Sequence, residues 1–98
     1  MDHLEQKILN IIDEHAEELE AIASNIYYHA ERGFAEYETA KAAAEFLRKY
    51  GMDPREGLAL TGVKANINEA EGPAVALVGE LDGIGCPAHP DAAPTAYV

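Results

Sequence analysis

The sequence predicts an α/β fold class: two N-terminal helices packed on a small mixed sheet with an antiparallel hairpin. Three observations carry that expectation. Apolar residues recur at steps of three and four from Leu4 to Ile26, the spacing of one helix face. An alanine-rich segment follows, with acids at its start, bases at its end and Gly51 behind it. Past Gly51 the composition shifts to glycine, proline and β-branched residues, and Ala74 to Val78 are apolar at successive positions.

Residues 2 to about 29 form the first expected helix. Leu4, Ile8, Ile11, Ile12, Leu19, Ile22 and Ile26 mark its buried stripe, and Glu5, Asp13, Glu14, Glu17, Glu18 and Glu20 its wet face. His15 falls on the stripe and reads as a partly buried packing residue. Gly33 can take the left-handed conformation that ends a helix, with Phe34 anchoring the turn. The second helix is expected over 36–50, with Glu36 and Glu38 at its positive end and Arg48 and Lys49 at its negative end. Gly51 then stops it.

Met52 to Leu60 reads as a short edge strand or extended arm, interrupted by Pro54. Strands are expected over 62–68 and 74–81, paired antiparallel through the polar turn NEAEGP. A run apolar at every position implies burial on both faces, hence a central strand. Residues 83–98 hold three of the five prolines and read as loop.

The charge balance limits the partners. Asp and Glu number 18 against 7 Lys and Arg, a formal net charge of -11, which repels phosphate backbones and anionic lipid. No nucleic-acid or membrane partner is expected, and no apolar run nears the roughly 18 residues of a membrane span. MDHLEQK lacks the basic and apolar regions of a secretory signal, and the single cysteine cannot form an internal disulfide. The cytoplasm is therefore the expected compartment.

Three constellations could carry chemistry. Glu80 and Asp82 stand at the carboxyl end of the expected second strand, where α/β sites form. A two-residue period sends their side chains from one face about 7 Å apart, within reach of one metal centre. The same pair also suits an ordinary solvated strand end. Cys86 and His89 make a C-x-x-H spacing that could chelate zinc, yet a structural zinc takes four ligands and no second Cys/His pair exists. A small domain binding one zinc through Glu80, Asp82, Cys86 and His89 is the remaining variant. His29 beside Glu31 could be an acid/base pair, or an ordinary helix-terminal histidine.

Two segments, in order, resemble one family. HAERGFAEYETAKAAAEFLRKYG is similar to the His-Pro-Glu-x-Gly-Phe-x-Glu segment of zinc-dependent amidohydrolases of the aminoacylase/carboxypeptidase type. TGVKANI with GPAVALVGELDGI looks like that family's hairpin, which ends in a metal-site motif. Ala30 stands where the family has proline, while His29, Glu31, Gly33, Phe34 and Glu36 match.

The resemblance implies an enzyme that hydrolyses an amide bond in N-acyl amino acids or small peptide-like substrates. It implies a divalent metal, zinc with manganese or cobalt as alternatives, in a full-length parent. Asp82 matches the aspartate that orients and bridges at the metal centre. Glu80 falls where many members place a metal-ligand histidine, and the amidohydrolase branch has a carboxylate there. A catalytic zinc takes about three protein ligands and a base, and this sequence offers two carboxylates. Residues 1–98 are thus expected to be the N-terminal portion of a metallohydrolase catalytic domain, inactive and metal-free alone. An unpaired sheet edge also leads us to expect a homo-oligomer. A non-catalytic acidic α/β association module is the alternative.

Overall fold

A computed structural model describes residues 2–86 and 88–90. Three helices and one two-stranded antiparallel hairpin make up a small mixed α/β arrangement, in the order α1 (His3–Glu14), α2 (Ala16–Tyr28), α3 (Tyr37–Lys49), β1 (Arg55–Leu58), β2 (Gly62–Lys64).

The continuous helix expected over 2–29 is two helices. Asp2 caps α1, its carboxylate accepting from the Glu5 amide at 2.8 Å. At His15 the backbone leaves helical geometry (φ -103°, ψ 10°), and its carbonyl accepts from Leu19 to start α2. The break falls in the gap of the apolar stripe between Ile12 and Leu19, where His15 is met by α3. The Tyr50 ring, at the end of α3, meets the His15 ring edge-on at 5.5 Å. One turn later Glu18 accepts from Lys49 Nζ at 2.5 Å and from the Tyr50 hydroxyl. These contacts tie the start of α2 to the end of α3.

The turn after α2 also differs from expectation. His29 caps that helix, donating from Nδ1 to the Asn25 carbonyl at 2.8 Å. Phe34, not Gly33, takes the left-handed conformation (φ 62°), and its ring is exposed rather than anchoring the turn. Helix α3 lies where the sequence placed it. Gly51 (φ 82°) follows its cap residue Tyr50. Gly51 N–H donates to Arg48 and Met52 N–H to Leu47, both at 3.0 Å, which is the Schellman pattern.

The hairpin is the main correction. Strand β2 pairs not with 74–81 but with β1, inside the arm 52–60, with Arg55 opposite Lys64 and Leu58 opposite Gly62. Ala59 and Leu60 turn the corner with φ of 45° and 79°. A Cβ on Gly62 would stand 2.5 Å from the Leu58 carbonyl oxygen, so only glycine closes this turn. Residues 74–81 form no strand and make no backbone hydrogen bond among the described residues. Val75, Leu77 and Val78 are 94%, 99% and 92% exposed, the reverse of the expected burial. An apolar run makes a strand only where neighbouring strands supply hydrogen bonds and cover, and the described residues supply neither.

The buried region is small and sits where α3 crosses the hairpin. Ala44 and Thr39 of α3 are buried there with Thr61 and Glu36. Thr61 donates to the Glu36 carboxylate at 3.4 Å, joining the start of α3 to the hairpin turn. No described helix is long and apolar enough to cross a membrane.

Candidate functional site

The turn after α2 and the segment ending at Asp82 meet in space. Gly83 N–H donates to the Glu31 carbonyl at 2.7 Å. A Cβ on Gly83 would approach the Ala30 Cβ to 2.7 Å, so the backbone reaches this bond only because residue 83 is glycine. Residues 82–84 are thereby fastened to the turn between α2 and α3. An open groove of about 750 Å³ adjoins that turn, with His29, Ala30, Glu31, Glu38, Lys41 and Glu45 in its wall.

Glu31 has a second task. Its carboxylate accepts from the Glu38 amide at 3.2 Å and from the Thr39 amide and hydroxyl at 2.7 Å each. These are first-turn donors of α3, which have no partner within the helix. Burial pushes the Glu31 carboxyl up, but the Thr39 hydroxyl and the two amides together outweigh it and hold the group below its ordinary value. Glu31 is thus a helix cap reaching in from outside the helix. The sequence offers no capping-box spacing between positions 31 and 39, so this role was not legible there. His29 and Glu31 do not pair with each other; each is spent on a helix end.

Glu80 and Asp82, the candidate metal-site pair, are both exposed and make no hydrogen bond or ion pair among the described residues. Their common face was an argument from strand geometry, and the segment they end is not a strand. Asp82 lies one residue from the Gly83 anchor, whereas Glu80 has no such support. Carboxylate oxygens are suitable donors for a divalent cation. No group of three His, Cys, Asp or Glu among the described residues could hold a metal ion. A metal centre built on this pair therefore draws further ligands from elsewhere. Cys86 is exposed, and the His89 amide closes a turn on the Cys86 carbonyl at 3.1 Å. The residues 91–98 of the expected loop, and Pro87, lie outside the described residues.

A further polar cluster went unread in the sequence. Glu18, His15, Lys49 and Tyr50 converge where α2 starts and α3 ends. Lys49 and Tyr50 hold the Glu18 carboxyl below its ordinary value, and Glu18 in turn raises Lys49 and Tyr50. The bonds that join its two halves span 31 residues or more, which no local pattern reveals. The chain matches no family model and no solved structure.

Proposed function

We propose that this chain serves metal-dependent hydrolysis of an amide bond, as the N-terminal portion of a larger catalytic unit acting on N-acyl amino acids or small peptide-like amides. The supporting observation is the Gly83–Glu31 junction, which joins the His29–Glu36 segment to the segment ending at Asp82. Two stretches far apart in sequence, each resembling the same hydrolase family, are neighbours in the fold. In this reading Asp82 contributes a carboxylate to the metal centre from a backbone held at Gly83, and Glu80 contributes directly or through a neighbouring ligand. Held by these carboxylates, a divalent cation would supply Lewis acidity and would activate a water. The remaining ligands and the base come from outside these residues.

The experiment compares the 98-residue chain with the product of its full reading frame, each supplied with zinc, manganese or cobalt. The chain alone should show no turnover, and the full product should hydrolyse N-acyl amino acids. Asp82→Asn in an active full product should lower activity at least ~10–100-fold, the usual effect of losing a group that orients metal ligands. Gly83→Ala should also lower it, by displacing the backbone next to Asp82. An inactive, metal-free full product defeats the proposal.

That outcome would favour a second reading, a non-catalytic acidic association module. Its support is the exposure of Val75, Leu77 and Val78, since apolar surface laid open this fully marks a contact waiting to be made.

A further inference from the structure

We infer that helix α1 is a docking surface for a basic amphipathic helix of another protein. The proposal does not depend on the hydrolytic reading. Leu4, Ile8, Ile11 and Ile12 follow at steps of four, three and one, which gathers them on an arc of about 100° along one face of α1. Each is 46% exposed or more, and no residue of α1 is buried. Its one substantial neighbour among the described residues is α2, the helix that follows it. Apolar anchors at i, i+4, i+7 and i+8 are what one helix offers to the groove of another.

Charge selects the partner. Residues 2–20 carry seven acids against Lys7 alone, a net -6 of the chain's -11. Of these acids only Glu18 makes an ion pair among the described residues, so the field around α1 is uncompensated. In helical projection Glu5 borders the stripe beside Ile12, and Glu14 lies beyond Ile11 at the other edge. The two acids stand about 13.5 Å apart along the axis. A second copy would bring the same acids to this face, and an anionic lipid surface would meet them with like charge, so both are disfavoured. A partner helix with an apolar stripe and lysine or arginine along both edges meets the isoleucines and both carboxylates at once.

The probe is a leucine–lysine peptide of about 15 residues with leucine on one helical face. Titration calorimetry with the whole chain should show one peptide bound per chain, more weakly as salt is raised. Ile8→Gln with Ile11→Gln should weaken binding at least ~10-fold, because two apolar side chains are lost from the contact. Helical circular dichroism should not change in that variant, since α1 buries nothing. Glu5→Gln with Glu14→Gln should also weaken binding and flatten its salt dependence. Val75→Gln with Leu77→Gln, on the other exposed apolar run, should leave it unchanged. No binding of the peptide overturns the proposal, as does equal binding of a peptide with glutamate in place of every lysine. So does binding that ignores the isoleucine pair or depends on Val75 and Leu77 instead. Self-association of the chain that the isoleucine variant abolishes also overturns it, and assigns the face to a second copy.

Discussion

At the scale of single residues, the structure reassigns the most suggestive side chains of the sequence. Glu31, for which the sequence leaves an acid/base pairing with His29 open beside an ordinary helix-terminal role, is the cap of α3. Replacing it with alanine should cost about 1 kcal/mol near neutral pH, the usual loss for a helix N-cap, as measured by urea unfolding. The pH dependence has a definite sign. Glu31 ionises at lower pH in the folded chain than the ordinary 4.5 it recovers on unfolding. Its stabilising contribution is therefore complete above 4.5 and is lost as pH falls through the lower folded value. The gap between wild type and Glu31→Ala should close on acidification over that window, and a gap independent of pH would exclude the ionised cap. Position 31 shows what a sequence withholds. That a glutamate sits there is given, but its donors lie seven and eight residues ahead across a turn whose path is not.

At the scale of elements, helix α3 was the most legible because its signals are local. Alanine content, charged ends and a following glycine act within one or two turns. Gly51 (φ 82°) has open space where a Cβ would go, so Gly51→Ala should cost about 1 kcal/mol from backbone conformation alone. Gly51→Asn should cost less, asparagine being the better tolerated residue in the left-handed region. Gly62→Ala should cost more than Gly51→Ala, since a Cβ there collides with the Leu58 carbonyl and the turn must move. Thermal unfolding of the three variants, ranked, checks the contrast; equal losses would mean that sterics at Gly62 are relieved without cost. The hairpin was legible only in part. Both of its strands lie in stretches that the sequence marks as extended, but the choice of pairing partner was wrong. Register and partner depend on which edges meet, and Gly62 closing on Leu58 is a fact of space, not of pattern.

At the scale of the whole molecule, the chain is open. Its radius of gyration is 15.9 Å, against about 12.6 Å for a compact domain of this length. Helix α1 leaves Leu4, Ile8, Ile11 and Ile12 at 46% exposure or more, so even its apolar stripe is half wet. Stability must therefore be unevenly spread, with α3 and the hairpin holding the firmest part. Hydrogen exchange on monomeric chain should show amides 74–81 exchanging at the rate of unstructured peptide. The Gly83 amide, bonded to Glu31, and the Met52 amide, bonded to Leu47, should be slower. A slow 74–81 segment in the monomer would mean that it finds backbone partners within its own chain.

What the sequence by itself determined is everything that depends on near neighbours. It set the helical periods, the end of α3 at Gly51, the acidic surface and the presence of Glu80 and Asp82 beside glycines. The tertiary structure alone decided the break at His15, the pairing of β2 with β1, the capping role of Glu31 and the docking of Gly83 on Ala30 and Glu31. The reason is range. Helical hydrogen bonds close over four residues and leave a local pattern, whereas strand pairing, cross-helix charge contacts and a glycine pressed on a distant turn depend on parts of the chain that only folding brings together.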